Sequence, residues 1–192
     1  MQALMDATAK GEIDAEIVGV VSSSDSAYGI MRAENAGLPV KVVVRKNFDT
    51  AESFNAANLA AISSFNPDGV ILAGYLAMIG PEIITQFKNR IINIHPSLIP
   101  SFCGKGYYGH KVHRGVLDYG AKLSGATTHF VDEGADTGPV IMQKCVPVLE
   151  NDTAETLAAR VLEVEHEILV RTVAAFCTDK ISVEGRKVTL RG

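Results

Sequence analysis

The feature that most constrains this chain is a series of short, nearly continuous apolar segments, each followed by a stretch with helical spacing. Residues 16–22 (EIVGVVS) are β-rich and end in a Ser/Asp cluster, which predicts a buried strand and a turn. Residues 27–36 have helical spacing and stop at Gly37. Residues 40–44 form a second strand, and residues 50–65 a helix closed by Pro67. Residues 68–74 (DGVILAG) are a third strand running into a glycine, 81–87 a short helix with proline in its first turn, and 91–94 a fourth strand. Strands that are apolar along their length must be covered on both faces. The alternation therefore predicts an α/β fold with an open, mainly parallel sheet between two layers of helices. Ligands of such sheets gather at the carboxyl ends of the strands, which puts Gly74, Tyr75, His95 and Pro96 at the expected binding edge.

The second half changes character. Residues 125–131 (GATTHFV) and 140–148 (VIMQKCVPV) are strand-like and are joined by a loop over 132–139. Asn151, Asp152 and Thr153 offer helix caps, and Asp152 with Glu155 has capping-box spacing. The helix that follows extends to about Phe176, with Leu157, Val161, Val164 and Ile168 on its buried side. Residues 181–190 predict a terminal hairpin around Glu184-Gly185. No repeat, linker or composition break divides the chain, so residues 1–192 are expected to form one domain.

Composition removes several classes of function. The 192 residues are 47% apolar, enough for a sizeable core without disulfides or a metal. A net charge of -4 gives no support for a nucleic-acid binder. No apolar run approaches the roughly 20 residues that span a bilayer, and the first residues lack the apolar stretch of a secretory signal. Cys103, Cys145 and Cys177 are odd in number, widely spaced and without a CxxC pair. That pattern argues for a reducing, cytoplasmic setting and against a structural zinc site. Cys103 lies in a Gly-rich loop, but no local feature marks it as an activated thiolate.

The densest polar cluster near a strand end is Asn93-Ile94-His95-Pro96-Ser97. With a side-chain period of two, Asn93 and His95 share a face. An amide there can hydrogen-bond a developing oxyanion, and an imidazole can transfer a proton near neutral pH. The competing reading is a strand end whose polar groups only satisfy loop backbone. A second cluster, residues 132–138 (DEGADTG), is open to three readings: a cation loop, a solvated turn, or a carboxylate delivered against His95. The cation reading lacks the ligand spacing and terminal Glu of an EF-hand. His110 and His113 share a helix face at i, i+3 spacing, a weak zinc pattern for which an ordinary surface helix is the simpler account. His129, on a strand, reads as a structural or supporting histidine.

INIHPSLIPSF followed by GATTHFVDEGADTGPVI closely resembles the paired signatures of the glycinamide ribonucleotide transformylases, a family of folate-dependent formyltransferases. The similarity extends from Gln2 to about Phe176 and includes DGVILAGYLAMI and the AARVLEVEH helix. The resemblance implies a Rossmann-like formyltransferase sheet. It also implies transfer of a formyl group from 10-formyltetrahydrofolate to the amine of 5-phosphoribosylglycinamide, with no metal. It places the family's catalytic Asn, His and Asp on Asn93, His95 and Asp136, with Asp136 keeping His95 charged. It places folate contacts on Leu76, Ala77, Met78, Ile79, Asn93, Val131 and Asp136, with Ile84 and Ile91 as further wall residues. Glu165 matches a ribose-contacting Glu, whereas Ala77 and Leu162 stand where some relatives carry Arg and a polar residue. The expected partners are small-molecule substrates, with no nucleic acid and no membrane, and a homodimer is compatible with the pattern.

The nearest competitor by resemblance is formyltetrahydrofolate deformylase, which uses the same trio but typically has HHS where this chain has His95-Pro96-Ser97. Formylation of an aminoacyl-tRNA would call for a tRNA-binding extension. The same resemblance implies that the chain starts inside the family's first helix, at Gln2, without the apolar strand and the S-G-x-G-[ST]-N phosphate loop that precede it. The expectation is then low stability and weak binding of the phosphorylated acceptor, down to a non-catalytic folate-binding remnant.

Overall fold

The computed structural model describes residues 1–191. Its elements are α1 (Gln2–Ala9), β1 (Val20–Ser22), α2 (Tyr28–Asn35), β2 (Val40–Val42), α3 (Ala51–Ser63), β3 (Val70–Leu72) and α4 (Pro81–Gln86). They continue with β4 (Ile91–His95), α5 (His110–Tyr119), β5 (Leu123–Phe130), β6 (Val140–Pro147), α6 (Ala154–Cys177), β7 (Ile181–Glu184) and β8 (Lys187–Leu190). The predicted alternation of strand and helix stands, and pairing in the first half is parallel, β1 with β2 and β3 with β4. From β4 onward the ladder turns antiparallel, giving a four-stranded sheet in the order β3-β4-β5-β6 and a terminal hairpin β7-β8.

β1 is shorter than residues 16–22, and the reason lies in its partner. Val20 N–H donates to the carbonyl of Pro39, the residue before β2, and a proline has no N–H with which to carry the ladder further back. β1 and β3 belong to separate sheets, and a cleft of about 1010 Å³ lies between them. Its lining includes Val21, Ile71, Tyr75 and Phe176, but not Asn93, His95 or Asp136.

The core that carries β4 and β5 is organised by α6. Thr153 caps this helix: its hydroxyl accepts from Thr156 N–H, and the Thr156 hydroxyl accepts from Thr153 N–H. The capping box is thus Thr153–Thr156 and not the expected Asp152–Glu155. Asp152 is drawn off by Arg160, whose guanidinium donates to both carboxylate oxygens at 2.7 and 2.8 Å and holds the carboxyl well below its ordinary pKa range. Leu157, Val161, Val164 and Ile168 pack with Val116, Ala126 and Val146, as the helical spacing predicts. Toward the end of the same helix, Leu169 and Val173 pack with Leu4 and Ala7 of α1 and with Ile13. The hairpin extends this layer along the same face of the sheet, with Ile181, Val183 and Val188 against Ile92, Phe130 and Ile141. Among the described residues no helix is long and apolar enough to cross a membrane.

Leu157 is fully buried, whereas Leu162 on the same helix is 47% exposed. Leu157→Ala should destabilise the fold by about 2–5 kcal/mol, and Leu162→Ala by no more than about 0.5 kcal/mol, both read from urea unfolding.

Candidate active site

The antiparallel register of β4 on β5 assembles the site. Asn93 lies opposite His129 and His95 opposite Thr127, and residues directly opposite each other in such a pair project from the same face. All four side chains therefore converge. Asn93 Nδ2 sits 3.1 Å from His129 Nε2, while His129 Nδ1 lies 2.8 Å from the Phe130 carbonyl. A carbonyl can only accept, so Nδ1 carries the proton and Nε2 is left to accept from the Asn93 amide. That leaves the second N–H of Asn93 unspent, on a half-buried side chain. A bulge between Thr128 and His129 against β6 lies beside this pair.

Thr127 ties down the loop after β4. Its hydroxyl donates to the Ser97 carbonyl at 2.6 Å and accepts from Ile99 N–H and from Gln143. Ser97 in turn donates to the Ser101 and Phe102 carbonyls. The loop then enters a turn with Phe102 in left-handed backbone, φ 51°, its ring packed edge-on between Tyr107 and Tyr119. This turn makes two contacts with the expected trio. The Phe102 carbonyl accepts from His95 Nε2 at 2.9 Å, and Gly104 N–H donates to Asp136 Oδ2 at 2.9 Å.

Asp136 stands between the two histidines. Its Oδ2 is 3.5 Å from His95 Nδ1 and its Oδ1 is 3.6 Å from His129 Nε2. Of the three readings of the 132–138 loop, the geometry selects a carboxylate delivered against His95. Burial pushes the Asp136 carboxyl up, but the attraction of His129 and His95 once protonated, with the Gly104 N–H, outweighs it and leaves the group below its ordinary range.

His95 departs from expectation. A carboxylate beside an imidazole raises its pKa, yet here the pKa is lowered. The ring is 4% exposed, and loss of hydration outweighs the Phe102 carbonyl and Asp136, which both favour the cation. At 3.5 Å the carboxylate is also too far for a short charge-assisted hydrogen bond. His95 is thus predominantly neutral near pH 7, with its proton on Nε2 and its lone pair on Nδ1 toward Asp136.

The remaining predicted residues divide. Beyond the end of β3, Leu76 and Met78 are 73% and 66% exposed, an unusual state for large apolar side chains that suits a ligand wall. Ala77 packs beside Val43 and Phe54, and Ile79, Ile84 and Val131 pack half-buried around Ile83 and Ile91. Ile91 itself is 1% exposed and belongs to the core, so it is no wall residue. Glu165 is half-buried on α6, where burial pushes its carboxyl up to about 7. Among the described contacts none joins it to the trio. His113 is buried and not on a surface face of α5, with its ring 6.4 Å from that of His110. Among the described residues no group of three His, Cys, Asp or Glu side chains is arranged to hold a metal ion. Burial and Asp136 push the Cys103 thiol up, the opposite of an activated thiolate.

Sequence reasoning missed the Phe102 carbonyl and the Gly104 N–H, because main-chain groups leave no residue-type signal. His129, read from the sequence as a structural or supporting histidine, does stand beside the trio, opposite Asn93.

A family model described as formyl transferase matches residues 1–173. The chain belongs to the formyl transferase family. Among relatives in that family, the phosphoribosylglycinamide formyltransferase of Mycobacterium tuberculosis H37Rv is 37% identical over 190 residues, covering 99% of this chain and 85% of the relative. The chloroplastic phosphoribosylglycinamide formyltransferase of Vigna unguiculata is 44% identical over 181 residues, covering 94% of this chain. The chain spans only 58% of the length of that chloroplastic relative. Among solved structures, glycinamide ribonucleotide transformylase 1 from Symbiobacterium toebii superposes with a TM-score of 0.93 at 37% identity, covering all of this chain and 88% of the other. A formyltetrahydrofolate deformylase from Pseudomonas syringae superposes at 0.89 and 28% identity, and this chain covers 61% of it.

NMR titration of the His95 ring should give a pKa below the ordinary value of about 6.5. Asp136→Asn should lower it further, since the carboxylate favours the cation. The unfolded chain takes up this proton first, so His95 should contribute a loss of stability as pH falls through about 6.5. A pKa above that value, or one unmoved by Asp136→Asn, contradicts the electrostatics described.

Proposed function

We propose that this chain transfers a formyl group from 10-formyltetrahydrofolate to the amine of 5-phosphoribosylglycinamide, a step of de novo purine biosynthesis. The observation that carries the proposal is the convergence of the Asn93 amide, the His95 lone pair and the Asp136 carboxylate at the end of β4. Support comes from relatives with that named activity.

The acceptor amine attacks the formyl carbon, a C–N bond forms, and the carbonyl π pair moves onto oxygen. Asn93 serves this oxyanion with the N–H that His129 does not use. Because His95 is neutral near pH 7, it enters as a base. Its Nδ1 takes the proton that the attacking nitrogen sheds, and Asp136, 3.5 Å away, stabilises the resulting imidazolium. The same proton then passes to N10 of the folate as its bond to the formyl carbon breaks, releasing tetrahydrofolate and the formamide. The charge balance needs no metal and no redox partner.

The exposed Leu76 and Met78 supply apolar surface for the folate, with Ala77, Ile79 and Val131 behind them and Asn93 and Asp136 at its reacting end. Glu165, close to half-protonated at neutral pH, can both donate to and accept from sugar hydroxyls of the acceptor. We place the whole chain in a single formyltransferase domain. Its three free cysteines suit a reducing compartment such as the cytoplasm.

A second reading, hydrolysis of the same folate, is favoured by the structural likeness to a deformylase. His95-Pro96-Ser97 and the more similar named relatives favour transfer. An assay of the purified protein with 10-formyltetrahydrofolate, with and without the phosphorylated glycinamide, separates the two. Product formation should require the amine, and water as the preferred acceptor refutes the proposal. His95→Ala should lower turnover by on the order of 10²-fold or more while the variant stays folded by circular dichroism. Near-normal turnover of that variant would exclude His95 as the proton acceptor.

A further inference from the structure

We infer that Asp132 and Thr137 act together as a positioning pair that holds Asp136 against His95 and His129. The role in catalysis rests on the formyl-transfer reading above, but the geometry does not. The Asp132 carboxylate accepts through a single oxygen, Oδ1, from Gly134 N–H at 3.1 Å and from the Thr137 hydroxyl at 2.6 Å. One carboxylate oxygen thereby closes the loop on itself across the base of residues 133–136.

Asp136 needs such a restraint. It has left-handed backbone, φ 58°, a conformation that Asp tolerates better than most residues but that still costs energy and gains from outside restraint. Its direct tethers are the Gly104 N–H at 2.9 Å and two histidine contacts of 3.5 and 3.6 Å, too long to fix a side chain. What fixes the backbone lies in the residues around it. Thr137, next in the chain, is latched to Asp132, and a Cβ at Gly134 would overlap the Thr137 hydroxyl, so the latch forms only over glycine. One residue further, a Cβ at Gly138 would overlap the Phe130 carbonyl, so the chain returns to β6 pressed against the end of β5. The DEGADTG segment is therefore a latched turn with the carboxylate of Asp136 as its output. Asp132 and Thr137 touch neither histidine in the described contacts, and they act through Asp136.

Thr137→Val keeps the shape and removes the donor, Thr137→Ser keeps the donor, and Asp132→Ala removes the acceptor. The primary readout is the His95 imidazole titration by NMR, which needs no turnover. Val and Ala should move the His95 pKa downward, in the direction of Asp136→Asn, because the loosened carboxylate favours the cation less. Ser should restore the wild-type titration. Turnover of Val should fall about tenfold with the KM for the folate changed by less than about twofold, since a misplaced reacting group weakens kcat before binding. The proposal is overturned if Val and Ala only lower the melting temperature while His95 titrates as in wild type. It is equally overturned if Ser fails to restore what Val loses. Should the wild-type protein transfer no formyl group, the proposed function fails, yet the titration still decides whether the pair positions Asp136.

Discussion

The pairing register of β4 on β5 is the constraint on which the rest of this molecule depends. It sets Asn93 opposite His129 and His95 opposite Thr127, so one ladder produces both the reacting groups and the groups that orient them. A shift by one residue would turn these side chains to the other face of the sheet and bury them in the apolar layer. The register is held from the apolar face, where Ala126 packs under α6 and Ile92 and Phe130 pack under the hairpin that follows it. Between the strands, the Thr127 hydroxyl binds the carbonyl of Ser97 and the amide of Ile99, which fastens the outgoing loop to the neighbouring strand. The core packing of α6 and the polar geometry of the site are thus two consequences of one alignment.

At the site, burial competes with charge. His95 loses hydration, and this outweighs the pull of Asp136 at 3.5 Å, so the ring is neutral although a carboxylate faces it. Asp136 meets the opposite balance: the Gly104 N–H, with the attraction of the two imidazoles once they are protonated, outweighs its own burial and leaves the carboxyl below its ordinary range. The two groups are therefore unequal by design of their surroundings, a carboxylate that stays charged beside a base that stays neutral until a proton arrives. That arrangement suits a reaction in which a proton leaves an attacking amine, and a preformed imidazolium would have no lone pair to receive it.

The turn at Phe102 links an aromatic cluster beside α5 to this chemistry. Its ring packs with Tyr107 and Tyr119, while its carbonyl binds His95 and the nearby Gly104 amide binds Asp136. Two non-glycine residues in left-handed backbone, Phe102 and Asp136, thereby face each other across the site. Both occur where loops bring main-chain polar groups to bear on side chains, the setting in which such conformations persist.

Much of this architecture was legible in the sequence, because apolar periodicity is itself the physical cause of strand and helix burial. The strands at β3 and β4, the buried stripe Leu157-Val161-Val164-Ile168 and the terminal hairpin follow from it directly. The convergence of Asn93 and His95 on one face follows from the two-residue period, and the resemblance of two motifs added Asp136. Other features depended on distances between segments remote in sequence. Spacing could not reveal that Arg160 would claim Asp152 and leave the cap to Thr153 and Thr156, nor that Ile91 would be core while Leu76 stood exposed. Nor could it show that main-chain groups at Phe102 and Gly104 would complete the site, since every residue but proline carries the same donor and acceptor. The protonation state of His95 was the furthest from reach. A residue list names the charge beside it, but desolvation is a property of everything packed around the ring, and only the folded chain decides that.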